Sequence, residues 1–223
     1  MPPAAAATPT RIIHSVLLSK SRIEALTDGI FAIAMTLLVL DLKIPDLPKP
    51  VSGSALLAAI GQEKSVFVSF LFSFVYSGLL WMLHHLAMHF IRQLQWALVW
   101  LNLMFLMSIS ILPFSCALLG HYMGTRAAEE IYFGNLLLAA ALLCAQWLLA
   151  RRKKLILETD PSAAMAMGQR LMMFPPAIAA AMLAALWEPW AGFYAMLLVL
   201  LAMRIWNRQR FHRAHAAGPF AKQ

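Results

Sequence analysis

Charge is scarce in this chain. Asp, Glu, Lys and Arg make up 13% of its 223 residues, where an average soluble domain carries about 25%. Hydrophobic residues reach 61% and the mean hydropathy is +0.71, more apolar surface than a core of this size can hide. Cysteine is rarer still, with two in the chain. Cys116 and Cys144 fall in separate apolar runs, read at different depths, which excludes a disulfide framework and leaves them as inert helix residues. A glycine loop able to cradle phosphate is missing, as are a Ser/His/Asp nucleophile arrangement and a Thr-Val-Gly-Tyr-Gly-like carbonyl filter. Met1 to Thr10 is uncharged and rich in Ala and Pro, which does not read as a cleavable signal. At roughly 20 apolar residues per crossing, the composition defines an all-α integral membrane protein.

Six apolar runs are present: Leu26–Ile44, Val66–Phe90, Leu98–Leu119, Ile131–Ala150, Leu171–Trp187 and Trp190–Trp206. The last two are joined by Glu188-Pro189 between two tryptophans, and Pro175-Pro176 interrupts the fifth. The net charge of +8 does not point to nucleic acid, because the basic residues lie between and after apolar runs, where membrane topology places them. With six spans, one side holds the N-terminal segment, the 91–97 loop, the 151–170 loop and the C-terminal tail. Lys plus Arg number 3, 1, 5 and 5 there, 14 of the 18 in the chain. Both termini are therefore expected in the cytoplasm, with the protein multi-pass in the cell inner (plasma) membrane. The expected division is a cytoplasmic segment 1–21, a six-helix transmembrane domain 22–206 and a basic cytoplasmic tail 207–223. No internal repeat of the transporter kind is present.

The stretch from Arg22 to Asp41 is the most unusual. At about 100° per residue, Arg22, Leu26, Ile33, Leu37, Leu40 and Ile44 fall on one bulky aliphatic stripe, with Thr36 on its border. Asp28 lies about 140° from Ile33, nearly opposite. An acid inside a span is a candidate functional residue that must be paired or wet. The plain alternative, a lipid-facing stripe with Asp28 snorkelling to water, explains neither Thr36 nor the small residues Gly29, Ala32 and Ala34. Partners are on hand in the next two spans. Ser73, Ser77, Trp81 and His84 share one face of the second, and Asn102 opens the third. Asp28, His84 and Asn102 lie at one depth, so a hydrogen-bonded cluster would satisfy groups that are costly when buried alone.

Arg22-x-x-x-Leu26-Thr27-Asp28-Gly29 and the Ile/Leu/Thr run after it resemble the Arg-x-x-x-Phe-Ser-Asp first-helix motif of the transmembrane protein 175 family of potassium channels. Trp81-x-x-His84-His85, Asn102 and Pro113-Phe114 are similar to that family too. Leu26 stands where the family has Phe, and Thr27 where it has Ser; the acid is kept. The likeness covers about the first half of the chain, and the second half matches in hydropathy alone. It implies four subunits around a central pore lined by the first helix, constricted at Ile33, Leu37 and Leu40 with Thr36 beside them. Those positions coincide with the stripe obtained from periodicity.

The expected function is modestly potassium-selective permeation through a hydrophobic Ile/Leu constriction that serves as filter and gate. A potassium ion, larger and more weakly hydrated than sodium, loses less on passing aliphatic rings. Arg22, Thr27, Asp28, Trp81, His84 and Asn102 are assigned to a structural or gating network, with the Arg22 charge helping to keep Asp28 ionised. The expected partners are further copies of the chain, the lipid bilayer and monovalent cations, with no cofactor, no bound metal and no enzymatic activity. The alternative is a membrane enzyme binding metal or haem through His85 and His89; it lacks further ligands at matching depth. A secondary transporter is disfavoured by the missing repeat.

Overall fold

The computed structural model describes residues 19–157, 161–188 and 190–195, together with Leu197, Leu198 and Leu201. It is helical throughout: α1 (Lys20–Leu37) continues into a 3-10 turn (Leu38–Asp41), and α2 (Gly53–Gln62), α3 (Lys64–Phe90), α4 (Trp96–His121), α5 (Arg126–Arg152) and α6 (Pro161–Ala185) follow. Four of these segments, Lys20–Asp41, α3, α4 and α5, are long and apolar enough to cross a membrane, so the protein is a multi-pass membrane protein. Residues 190–195 resume as helix, and most of the sixth apolar run lies outside the described residues.

The elements depart from the sequence reading in four places. The first helix starts at Lys20, inside the segment expected to precede the membrane domain. It tightens at Leu38, so Leu40 sits in the 3-10 turn, where residues three apart eclipse. Leu40 therefore stacks above Leu37, and the stripe ends there, with Ile44 beyond the helix. Between the first and second spans a short helix, α2, forms where a loop was expected; Ser52 caps it, its Oγ accepting from the Ala55 N–H at 3.2 Å. Finally, residues 161–170, read as part of a loop, form the first turns of α6.

α6 runs unbroken through Pro175-Pro176. A proline at 175 removes the N–H that the Leu171 carbonyl would have accepted. The thiol of Cys144 on α5 donates to that carbonyl at 3.0 Å, the kind of repair that lets proline persist inside membrane helices. Close approach helps. A Cβ on Gly168 would lie 2.6 Å from Trp147 Nε1, so only glycine admits α6 this near α5.

α4 is the central helix, packed on α1, α3 and α5, while α6 closes the far side against α5. The core between them is aromatic and aliphatic: Phe31, Tyr76, Leu80, Phe105, Leu112, Tyr132 and Leu136 are fully buried. A polar seam runs through it. Ser69, Ser73 and Ser77 of α3 are buried, and Ser73 Oγ is hydrogen-bonded to Tyr132 Oη at 3.0 Å. At the other end of the bundle, Ile91 bridges Ile156, with Arg92 N–H donating to Leu155 O and Leu157 N–H to Phe90 O, both at 2.8 Å. The two loops at that end are thereby sewn together.

Candidate functional site

α1 has one buried face and one open one. Ile23, Thr27, Phe31, Ala34 and Leu38 are buried against α3 and α4. Phe31 meets Phe105 with ring centroids 5.8 Å apart. The aliphatic stripe points away: Ile33 is 60% exposed, Leu37 42% and Leu40 71%, against 2% for both Phe31 and Leu38. Ala25, Gly29, Ala32 and Thr36 lie open on the same side. The Thr36 hydroxyl is already committed to its own helix, donating to Ile33 O at 2.8 Å.

The buried face is held by a directed chain of hydrogen bonds. An amide oxygen only accepts, so at the 2.8 Å contact of His84 Nε2 with Asn102 Oδ1 the histidine donates. Asn102 Nδ2 donates in turn to Thr27 Oγ1 at 3.2 Å. Thr27 passes its own proton to Ile23 O at 2.9 Å. Three side chains from three helices, all buried, thus satisfy one another in sequence. The His84 ring also stacks on Phe105, centroids 5.3 Å apart and planes 10° apart, which fixes its orientation.

Asp28 is held separately. Trp81 Nε1 donates to Asp28 Oδ1 at 2.8 Å, and the Trp81 ring stacks on His85 with centroids 5.6 Å apart. Asp28 is otherwise open on the isolated subunit. Of the network expected from sequence, Thr27, His84 and Asn102 form one unit and Asp28 with Trp81 a second, adjoining one. Arg22 is exposed and forms no ion pair with Asp28. The reason is geometric: residues six apart on a helix differ by about 240° and cannot share a face.

Two features escaped sequence reasoning. Phe105, which packs against both Phe31 and His84, is one apolar residue among many in its span. At the opposite end of α1, His121 Nε2 lies 3.1 Å from Asp41 Oδ1, tying the end of the 3-10 turn to the end of α4. Only an acid and a histidine at the two helix ends, 80 residues apart, signalled it. His89 is placed edge-on to Phe90, and among the described residues no group of three or more His, Cys, Asp or Glu gathers where a metal could be held.

This arrangement is that of a multi-pass helical membrane protein whose first helix is pinned on one side by polar contacts and offers a continuous aliphatic edge on the other. The profile of the family described as endosomal/lysosomal potassium channel TMEM175 matches residues 22–113, which span α1, α3 and most of α4. Over that stretch, less than half of the chain, the sequence is similar to the TMEM175 family. A potassium channel of Streptomyces collinus is 34% identical over 110 residues, 49% of this chain and 52% of that one. A potassium channel of Chamaesiphon minutus is 34% identical over 129 residues, 56% and 63% of the respective chains. In sequence, therefore, the chain spans between half and two thirds of the length of these relatives. In structure the likeness is broader. The crystal structure of a lysosomal potassium-selective channel TMEM175 homolog from Chamaesiphon minutus superposes with a TM-score of 0.72 at 28% identity, covering 83% of this chain and 97% of that one.

Proposed function

We propose that this protein is a potassium-permeable cation channel, assembled as a homotetramer around a central pore lined by α1. The observation that carries the reading is the orientation of α1. Its polar and aromatic face is consumed by contacts inside the subunit, while Ile33, Leu37 and Leu40 are left as an unpartnered aliphatic edge. One such edge cannot enclose a pore; several converging on an axis make successive aliphatic rings. The likeness to chains named as potassium channels supports the substrate.

In this mechanism the rings form a constriction that gates by dewetting. An ion passes by shedding part of its hydration, and potassium, losing less than sodium, passes more readily. Selectivity is then modest and does not depend on backbone carbonyls. Thr36, with its hydroxyl turned back to Ile33 O, borders the constriction without supplying a full polar site. The polar contacts of Thr27, Asp28, Trp81, His84 and Asn102 hold α1 at the angle that presents the edge. The full topology has six crossings with both termini in the cytoplasm and the protein in the inner membrane. Residues 22–206 serve as the channel domain between a cytoplasmic segment 1–21 and a basic tail 207–223.

Bilayer recording from purified protein tests this directly. A cation current whose reversal potential favours potassium over sodium is expected; absence of current from correctly assembled protein overturns the reading.

A further inference from the structure

α5 ends in four consecutive basic residues, Arg151 to Lys154, and the chain turns there in an unusual way. Lys153 is the C-cap, and Lys154 adopts φ 53°, the left-handed position that helix C-termini normally give to glycine. The turn is a complete Schellman motif: Leu155 N–H donates to Ala150 O at 2.9 Å and Lys154 N–H to Arg151 O at 3.0 Å. A lysine here bears a backbone penalty that glycine would not.

Beside this turn is a cleft of about 320 Å³ between the end of α5, the strand-like segment after it and the start of α6. Arg151 and Lys154 line it, with Trp147, Ile156, Leu157 and Met165. Neither cation has a salt-bridge partner among the described residues, whereas Arg152 and Lys153, equally exposed, do not line the cleft. The lining is mostly apolar, and its indole is that of a buried tryptophan whose N–H has no acceptor among the described residues. The cleft sits at the end of α5, a helix long and apolar enough to cross a membrane.

We propose that this cleft binds the phosphate headgroup of an anionic phospholipid. Arg151 and Lys154 hold the phosphate oxygens, and Ile156, Leu157 and Met165 receive the upper part of an acyl chain. Two cations beside an apolar wall, at the end of a membrane helix, suit a ligand that is both anionic and greasy. Inorganic phosphate shares the anionic half of that chemistry but not the apolar half.

The site can be tested without reference to ion flux, so its failure and that of the channel reading are distinguishable. The full-length protein, purified from mixed phosphatidylcholine and phosphatidylglycerol vesicles, is washed in detergent, and retained lipid is measured by native mass spectrometry and by extraction. The variant pair is Arg151→Gln with Lys154→Gly; glycine at 154 suits the left-handed turn, so misfolding does not explain a loss. Each cation contributes about fivefold to affinity for an anionic lipid, so the pair should weaken phosphatidylglycerol retention by roughly 25-fold. Arg152→Gln with Lys153→Gln removes the same charge outside the cleft and should retain lipid as the wild type does. Equal loss in both double variants would reduce the effect to a general basic belt and overturn the site. So would undiminished retention in the Arg151/Lys154 variant. Displacement of the lipid by millimolar inorganic phosphate alone would assign the cleft to a free anion instead.

Discussion

The indole N–H of Trp81 donates to the Asp28 carboxylate across 2.8 Å, a bond from α3 to the first helix that fixes the rotation of α1 beside its open edge. Asp28 is otherwise open on the isolated subunit, so the bond's value is positional. It orients the acid at the border between the buried face and the open aliphatic edge.

Because a hydrogen bond to a charged group contributes about 1.5–3 kcal/mol when shielded and less in contact with water, Trp81→Phe should disturb assembly or gating more than ion preference. Asp28→Asn should do the same, and the double variant should be no worse than either single, since both remove one interaction. His84→Ala should also impair assembly, through the Asn102–Thr27 chain. Arg22→Ala should behave differently from all of these, since Arg22 is apart from Asp28 in the subunit. Native gels and single-channel open probability across the set would check the grouping. Fully additive defects in Trp81→Phe and Asp28→Asn would break the proposed pairing.

How much of this was legible beforehand varies with the kind of signal. The stripe of Ile33, Leu37 and Leu40 could be read because helical periodicity survives in a membrane, although the 3-10 turn that eclipses Leu40 on Leu37 leaves no mark in composition. His84 and Asn102 could be picked out because buried polar groups in apolar spans must find one another; Asp28, expected with them, is held by Trp81 instead, and Thr27 stood out only through the motif resemblance. The choice of partner could not: Arg22 and Asp28 attract each other as charges, yet helix geometry separates them and an indole takes the acid. α2 was missed because its ten residues carry too few turns to stand out. The first turns of α6 were missed because Pro161–Arg170 mixes small residues with Pro161, Gln169 and Arg170, with hydropathy below that of a span. Cys144 read as inert, and its thiol instead completes the backbone that Pro175 leaves open.

That last contact gives a prediction about stability. Cys144→Ala strands the Leu171 carbonyl in the bundle and should cost about 0.6 kcal/mol, up to about 1.7, the range for hydrogen bonds inside membrane proteins. Pro175→Ala restores the missing N–H and should largely remove the effect of Cys144→Ala. Thermal unfolding in detergent of the two singles and the double would show it as strong coupling; additive shifts would detach Cys144 from the proline.

Packing at α5–α6 makes a sharper contrast between two glycines, Gly134 of α5 and Gly168 of α6. Gly168→Ala places a methyl 2.6 Å from Trp147 Nε1, so α6 must move outward, at a cost of about 1–3 kcal/mol. Gly134→Ala meets nothing within 4 Å in the subunit and should be neutral or mildly stabilising through helix propensity. Melting temperatures of the two variants should fall on opposite sides of, or at unequal distances from, the wild type. Equal tolerance at both sites would mean that α6 is not held this close.

Assembly is the next test. An edge of large aliphatic side chains left open on one helix is stabilised only by lipid or by other copies. In the channel reading, copies of α1 converge on one axis. Cysteine placed at Ile33 or Leu37 should cross-link between subunits under mild oxidation, with Cys116 and Cys144 replaced beforehand, and native mass measurement should give a tetramer. A protein that carries ion flux while strictly monomeric would defeat this arrangement.

The remaining prediction bears on permeation. Ile33 and Leu37 are one helical turn apart, and the 3-10 turn puts Leu40 above Leu37 at about 2 Å of rise per residue, so the three make successive rings along the axis. If these rings set a dewetted barrier, Asn at any one of them gives water a hydrogen-bonding wall where none existed. Conductance or open probability should rise, and discrimination between potassium and sodium should fall. Two controls separate pore from lipid. Val39, in the 3-10 turn, lies about 120° round the axis from Leu40, off the line of the three rings. Met107 on α4 is 57% exposed, close to the 60% of Ile33, but belongs to the stripe Trp100, Met104, Met107, Ile111 and Phe114, whose aromatic and thioether side chains suit lipid. Val39→Ala and Met107→Asn should leave the reversal potential unchanged. Should Asn at 33, 37 and 40 behave as these controls do, α1 faces lipid and the permeation path runs elsewhere.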